Sequence, residues 1–472
     1  MTELDSLFKR EGNKILFDGV DLEKDISDIH GTPTYVFSER RIKENIANLK
    51  MSFKNHYPNT TIAYSLKNNS LLEVNSIIAD HLSNFEIGSI SELKQIEQLS
   101  YEKNKEFNII STNIFKSDEL IEAILNYPDF DSEKISQKNI YQFIAVDSYQ
   151  DLKNVERMAV KYKQKIKVLV RVNPGLAMDV DETIFASANI TAKCATIISD
   201  IQPIKDASDD PTISIWLPER DTNPTYDSAE RLIKEVYESK YLDLYGLHCH
   251  LGSQITNIEY FDRFFEVVTQ FFKLMNEKWA EKLKILDLGG GYPVDYLNNG
   301  SVPSIDTIAK SLAKNIKNSK ITPNVIIESG RFITASAGML LTKVNLTKES
   351  STGRKIAVLD LSVYSDLLDI LTANWYYDCS LVNKLPNLED EQKINNWELV
   401  GGTNDILDRL DPRVSKCSNC NKILTNGYER IFPRELGVGD LLAIKNVGAY
   451  TTCFNSTYSG KPFPEKVIIP NE

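Results

Sequence analysis

Short apolar, β-branched runs recur along the first two thirds of the chain. They fall at Ile62–Leu66, Phe85–Gly88, Phe107–Ser111, Phe143–Ser148, Val168–Asn173, Gly246–His250, Ile285–Leu288 and Val325–Glu328. They lack strict alternation of apolar and polar positions, as expected of parallel strands covered on both faces. Between them lie segments with helical spacing of apolar residues, among them Asp118–Tyr127, Ser228–Ser239 and Tyr260–Glu277. Another opens at Ser89, with Glu92 three residues on, the spacing of a capping box. Eight strands alternating with helices predict an α/β fold, a (β/α)8 TIM-like barrel over residues 35–335.

After Thr334 the pattern changes. Lys355–Leu361, Trp397–Val400, Asp440–Lys445 and Lys466–Ile469 read as strands with no long helix between them, and Gly437-Val438-Gly439-Asp440 reads as a turn. This predicts an antiparallel β domain over residues 336–472, with residues 1–34 packing on it as extra strands. Pro174–Tyr226 is long for a loop between a strand and a helix, and Arg409–Pro433 reads as an insertion.

Composition narrows the class. The chain has 472 residues, enough for two cores, and is 42% hydrophobic and 25% charged, ordinary for a soluble protein. No apolar run reaches the length of a membrane span. Met1–Asn13 is polar and unlike a signal peptide, so a cytoplasmic location is expected. A net charge of −12 argues against a nucleic-acid surface. Six scattered cysteines (Cys194, Cys249, Cys379, Cys417, Cys420 and Cys453) are expected as free thiols. Cys417 and Cys420 form a CxxC, but no second pair supplies the other two ligands of a zinc site, so a structural loop is expected there and no metal.

Barrel enzymes place their chemistry at the C-terminal ends of the strands. Here the first strand ends at Lys67, and the second carries Glu86. The sixth ends in His248-Cys249-His250-Leu251-Gly252-Ser253-Gln254, the seventh in Gly289-Gly290-Gly291, and the eighth in Glu328-Ser329-Gly330-Arg331. A glycine triplet lets backbone N–H groups approach a phosphate, and Arg331 adds a charged fork. Lys67 can form a Schiff base with pyridoxal 5′-phosphate (PLP), Glu328 can hold its pyridine nitrogen protonated, and the flat ring of His250 suits stacking on it. Taken singly, a GGG is a tight turn and a strand-end histidine a satisfied core residue. Their coincidence at strand ends favours the cofactor reading.

With these residues in place, the chain resembles the fold-type III PLP enzymes, in the branch of diaminopimelate, ornithine, lysine and arginine decarboxylases. Thr32-Pro33-Thr34-Tyr35-Val36 resembles the family's lead-in to the barrel. Tyr64–Asn68 resembles YA-x-K-[AC]-N, and Phe85–Leu93 the segment ending S-x-x-E-L. His250–Gln254 is similar to H-[IV]-G-S-Q, Gly289–Gly291 to the GGG, and Glu328–Arg331 to E-P-G-R with Ser329 for proline. Gly439-Asp440 with Gly448-Ala449-Tyr450 resembles G-D…G-A-Y. The resemblance implies a barrel of the alanine-racemase type and a homodimer whose active sites are each completed by a partner loop. It also implies a cofactor site made of Lys67, Glu86, His250, Ser253, Gly289, Gly290, Gly291, Glu328, Gly330, Arg331 and Tyr450, with Tyr450 touching the phosphate.

The departures from the family are specific. Its partner loop reads G-P-[LT]-C-[ED]-x-x-D, and here Gly401–Asp408 places Asn404 at the cysteine that returns a proton to carbon. Loss of CO2 depends mainly on the cofactor, so the returning proton would come from water, Lys67 or another residue. Asp405 keeps the acid of that loop and is expected at the substrate's distal end. Asp369 falls at or beside the arginine that binds a distal carboxylate in diaminopimelate decarboxylases, which favours a cationic substrate. The family's S-K-F-G is not found between Pro174 and Tyr226. The leading expectation is a PLP-dependent decarboxylase of an ornithine- or lysine-like amino acid or conjugate, in siderophore or other secondary biosynthesis. The alternatives are a racemase or epimerase on the same fold, and a silent relative with a regulatory binding role.

Overall fold

The computed structural model of the chain describes residues 7–127, 142–176, 187–189, 192–198, 228–279, 282–386, 395–410 and 429–471. Eight parallel strands close into a barrel: Thr60–Ser65, Asn84–Ile87, Asn108–Ser111, Gln142–Val146, Ile166–Asn173, Leu242–His248, Ile285–Asp287 and Asn324–Ser329. Closure runs through Ile327 opposite Ile62 and Ile144 opposite Val168. Every predicted barrel run coincides with a strand. The sixth starts earlier than its apolar pattern shows, because Asp243 and Tyr245 interrupt the run and a register shift follows Leu244. The predicted helices appear as Asp118–Asn126, Ala229–Glu238 and Ile258–Lys278. Ser89 caps the helix Ile90–Lys103 by accepting the Glu92 N–H, and the Glu92 carboxylate reaches back to the Gly88 N–H.

Side chains alternate along a strand, and that alternation decides what the barrel encloses. Ile62, Tyr64, Phe85, Ile87, Val168, Val170, Leu247, Leu286, Val325 and Ile327 join the large core between strands and helices. Ala63, Ile110, Phe143, Ala145, Leu169 and Ile326 form a second cluster inside the barrel. By the same alternation Glu86, Arg171, His248, Asp287 and Glu328 point inward, above that cluster, at the C-terminal ends of their strands.

The second sheet has the strand order Cys379–Leu381, Leu441–Lys445, Gly338–Glu349, Lys355–Leu359, Asn395–Val400 and Glu429–Phe432. Thr34–Ser38 also joins it, antiparallel to Gly338–Glu349 and parallel to Glu465–Ile469. The antiparallel expectation therefore needs correction, because the sheet is mixed. Lys355–Leu359 and Asn395–Val400 are parallel, which their long connection allows, and the other parallel pair joins the two ends of the chain. The pattern also missed the central strand Gly338–Glu349, whose outer half is polar. Phe8–Glu11, Lys14–Phe17 and Val20–Asp21 make a small antiparallel sheet, and Phe17, Leu22 and Ile26 pack on Val36, Met339, Leu341 and Ala443.

Cys194, Cys249, Cys379 and Cys453 are free thiols, while Cys417 and Cys420 lie outside the described residues, as do most of Pro174–Tyr226 and of Arg409–Pro433. No helix among the described residues is long and apolar enough to cross a membrane.

Barrel and sheet meet in backbone contact. A Cβ on Gly448 would lie 1.9 Å from the Thr334 carbonyl oxygen, and one on Gly338 would lie 2.6 Å from the Gly448 Cα. The Gly448 carbonyl accepts from Asn69 Nδ2 at 2.9 Å, and the Tyr450 N–H donates to the Asn68 carbonyl at 2.9 Å. This seam ties the sheet to the end of the first barrel strand. Gly448→Ala should force it apart and cost about 1–3 kcal/mol, the range for overpacking. The expected outcome is a lower thermal midpoint by calorimetry, together with a displaced Tyr450.

Candidate active site

The barrel's C-terminal mouth holds a narrow cavity lined by Lys67, His250, Ser253, Gly290, Gly291, Glu328, Gly330, Arg331 and Tyr450, with Ser65, Gly252, Gln254, Tyr292 and Ser329. Lys67 sits in the turn Leu66–Asn68 that follows the first strand, and its side chain remains 48% exposed, opening onto the cavity. Its ammonium contacts both oxygens of Glu86, at 2.8 and 2.7 Å. Glu86 is buried and also accepts from the hydroxyls of Ser65 (2.6 Å) and Thr112 (2.5 Å). Burial alone would raise this carboxyl, but the Lys67 charge and these donors outweigh it and hold it down at about 2. For Lys67, loss of water pulls the ammonium down, and Glu86, with Tyr450 and Glu328, more than restores it, so it is raised above the ordinary lysine value.

The cavity is also lined by glycines and an arginine, the residue types that suit an anion. Gly289 and Gly291 have φ of 60° and 114°, and a Cβ on Gly290 would lie 2.6 Å from the Glu328 carbonyl oxygen. The Gly290 N–H donates to His250 Nδ1 at 3.0 Å, which fixes the imidazole plane. Burial, then the charges of Lys67 and Arg171, hold His250 well below its usual value and keep it neutral. Arg331 opens the short helix Arg331–Thr334. It donates to Ser253 Oγ (3.3 and 3.1 Å) and Tyr296 Oη (3.0 Å), and its guanidinium stands 4.3 Å from the Trp375 ring and 4.6 Å from the Tyr450 ring. Tyr450 has φ of 56°, a conformation uncommon for a bulky side chain and found where a site over-determines the backbone.

Glu328 closes the cavity floor. One of its oxygens, Oε1, is buried with no donor facing it. Burial and the Glu86 charge push this carboxyl above the usual carboxylate range. A buried acceptor, a glycine and arginine cradle and an amine on one cavity are the three groups that PLP calls for, at its ring nitrogen, its phosphate and its carbonyl.

Three predicted residues lie elsewhere. Asn404 and Asp405 are on the loop 401–410, where Asn404 is exposed, and neither lines the cavity. Asp408 pins that loop by accepting from the Val363 N–H (2.8 Å), the Thr403 N–H (3.0 Å) and the Thr403 hydroxyl (2.6 Å). Asp369, in the short helix Asp369–Ala373, is buried, bonded to the Tyr377 hydroxyl, and also off the cavity lining. Burial, opposed by Tyr377 and Arg331, pushes it up to about 7.

The structure adds residues that the motifs did not single out. Arg171 donates to the Thr112 carbonyl at 2.7 Å and lies 3.5 Å from Asp147. His248 and Asp287 stand beside Glu328. Each was visible as an isolated polar residue inside an apolar strand, the only sequence signal such positions give. Trp375, Tyr296 and Tyr377 around Arg331 had no such signal, because buried aromatic residues look the same in any core.

A barrel with this mouth belongs to the class of enzymes that carry PLP on a lysine. Comparison with known proteins specifies the class further. The family described as "Pyridoxal-dependent decarboxylase, pyridoxal binding domain" matches residues 41–215 and 224–335, more than half of the chain. The chain belongs to this family of PLP-dependent amino-acid decarboxylases. It is 25% identical over 466 residues to the diaminopimelate decarboxylase of Aquifex aeolicus, covering 98% of this chain and 92% of that one. It is 24% identical over 464 residues to the Staphylococcus aureus enzyme of the same name, covering 97% and 93%. Among solved structures, the M. jannaschii diaminopimelate decarboxylase in complex with L-lysine shares the fold with a TM-score of 0.77 at 22% identity, covering 99% and 93%. The Vibrio vulnificus lysine/ornithine decarboxylase in complex with putrescine shares it at 0.68 and 19% identity, covering 95% and 97%.

The Lys67–Glu86 pair yields a test on the cofactor-free protein. Glu86→Gln removes the largest influence raising Lys67 and leaves burial, which lowers it. Reaction of Lys67 with trinitrobenzenesulfonate, followed by peptide mass spectrometry, should then reach its midpoint about 1–3 pH units lower than in the parent. An unchanged midpoint would show that Glu86 does not set the charge of Lys67.

Proposed function

We propose that this enzyme removes the α-carboxylate of an ornithine- or lysine-like amino acid, or of a conjugate of one, and works in the cytoplasm as a homodimer with shared active sites. The observation that carries the reading is that Lys67, Glu328 and the cradle of Gly290, Gly291, Ser253, Gly330, Arg331 and Tyr450 line one and the same cavity. Lys67 is the amine that would carry the cofactor. The cradle, with Gly289 shaping its turn, would hold the phosphate, and the His250 ring would stack on the cofactor. Glu328 would keep the ring nitrogen protonated. PLP, when bound, supplies the electron sink that accepts the pair left behind as CO2 departs. Glu86 keeps a proton on Lys67 beside the reacting carbon, whereas Asn404 has none to give.

The substrate's distal end is read from acids. Asp369, at or beside the arginine position of diaminopimelate decarboxylases, cannot pair with a second carboxylate. It is buried on Tyr377 behind the cavity lining, where its carboxyl is pushed up to about 7, so it would shape the distal end from there. Asp405 would act from the partner's loop. Support for a covered surface comes from the exposure of Ile406 (70%), Phe454 (46%) and Phe463 (52%) on and around that loop. Because the departures from the family's motifs fall at Asp369 and Asn404, we place the substrate among specialised intermediates, such as those of siderophore or other secondary biosynthesis.

Two measurements test this. The purified protein should show the visible absorbance of lysine-bound cofactor, and Lys67→Ala should abolish it together with all CO2 release. Release from L-lysine or L-ornithine should exceed release from meso-diaminopimelate. The reverse order would overturn the substrate, and racemisation without CO2 would make the enzyme a racemase. Mixing Lys67→Ala chains with Asp405→Ala chains, each inactive alone, should restore activity if each site borrows Asp405 from the partner. No recovery would overturn the shared site.

A further inference from the structure

Glu328 is one of two carboxyl groups at the floor of the cavity. Asp287 ends the neighbouring strand and points inward with it. Oxygen atoms of Asp287 and Glu328 and a ring nitrogen of His248 lie within 4.8 Å of one another, and all three side chains are buried. Asp287 Oδ1 accepts the Gly289 N–H at 3.0 Å. Asp287 Oδ2 and Glu328 Oε1 face no donor, and neither ring nitrogen of His248 has a hydrogen bond, its Nε2 lying 3.5 Å from Glu328 Oε2.

The surrounding charges are already matched. Glu86 is taken by Lys67, Ser65 and Thr112. Arg171 faces Asp147. His248 is held neutral by burial and by the positive charge of Arg171. The Cys249 thiol and the Tyr292 hydroxyl, the remaining titratable groups near Asp287, are both pushed up by burial and stay protonated. Among the described residues the cations that reach Glu328, Lys67 and Arg171, are already paired with Glu86 and Asp147, which leaves none for two bare carboxylates this close together. One proton between them turns a repulsion into a hydrogen bond.

We propose that Asp287 is a positioning residue of the cofactor site: it carries a proton and donates it to Glu328, so that the pair meets the pyridine nitrogen with one negative charge. The proposal rests on the reading of Glu328 as the partner of that nitrogen. The proton sits on Asp287 because Asp287 lies behind the cavity wall, whereas Glu328 lines the cavity and has to accept from the ring N–H. The donated hydrogen bond stabilises the Glu328 anion, so the proton on the ring stays on the ring. With the cofactor bound, one pyridinium charge balances one carboxylate, and no charge is left buried without a partner. Burial and the negative charge of Glu328 both push Asp287 well above the carboxylate range, in the same direction.

Asparagine mimics a protonated aspartic acid, which makes the test discriminating. The probe is 4′-deoxypyridoxine 5′-phosphate, which lacks the aldehyde and binds without Lys67 chemistry; its ultraviolet spectrum reports whether the ring nitrogen is protonated. With the full-length, cofactor-stripped protein, Asp287→Asn should bind the probe within about threefold of the parent and keep the protonated-ring spectrum. Asp287→Leu leaves Glu328 without its donor and should bind about ten- to a hundredfold more weakly, with the spectrum moved toward the neutral ring. Loss of binding in the Asn variant equal to that in the Leu variant would overturn the proposal, because Asp287 would then act as a charged carboxylate. Parent-like binding and spectrum in the Leu variant would also overturn it. If the parent binds the probe with a neutral ring and Glu328→Gln changes nothing, the reading of Glu328 itself fails and takes the proposal with it.

Discussion

Charge compensation in a water-poor barrel mouth is the constraint on which the rest of the site depends. Strand alternation turns Glu86, Arg171, His248, Asp287 and Glu328 toward one axis, and all are buried. A buried charge without a partner is costly, so each has to be paired, hydrogen-bonded or neutral. Lys67 and Arg171 take Glu86 and Asp147. Just behind, Lys116 is fully buried on Asp151 at 2.8 Å. What remains is the pair of Asp287 and Glu328, one negative charge short of a cation. A ring nitrogen carrying a proton is the group that completes the balance, so the affinity for the cofactor is part of the electrostatics of the fold.

The mixed sheet supplies what the barrel cannot. Barrel strand ends fix Lys67, Glu86 and Glu328 through a closed hydrogen-bonded ring, which leaves them little freedom. Tyr450 comes from the sheet, through the glycine seam and the hydrogen bond to Asn68. Asn68 in turn donates to Tyr64 and Thr334, so the residue next to the reactive lysine is held by the first strand, the eighth-strand helix and the sheet together. Arg331 is similarly shared, between Ser253 of the barrel and Trp375 and Tyr450 of the sheet. The cluster of Ser253, Arg331, Trp375 and Tyr450 is therefore an interface between barrel and sheet.

This division explains what the sequence shows and what it hides. The barrel was legible because buried parallel strands must be apolar on both faces, so an inward charge such as Glu86 or Glu328 stands out at a strand end. The glycine triplet was legible for a related reason: backbone approach admits no side chain. The central strand Gly338–Glu349 was not, since its pattern changes from apolar to polar where it leaves the core. The parallel pairings of the sheet were hidden as well, because pairing between distant segments leaves no local trace. Asp369 was found by alignment with a motif, but its burial against Tyr377 depends on the path of the chain after Ile370, which no local pattern encodes. Asn404 and Asp405 lie on a pinned, outward-facing loop, and a single chain does not say what they face.

Moving Lys67 or Glu328 would break the barrel's charge balance. The loop from 401 to 410 carries no such burden, whereas the segment from Val363 to Tyr377 includes Trp375, which stands on Arg331. Their anchors are local, such as Asp408 on Val363 and Thr403, or Asp366 on the Ser362 N–H. A chain about a quarter identical to diaminopimelate decarboxylases thus keeps the family's barrel mouth while Asp369 stands buried on Tyr377 outside its lining.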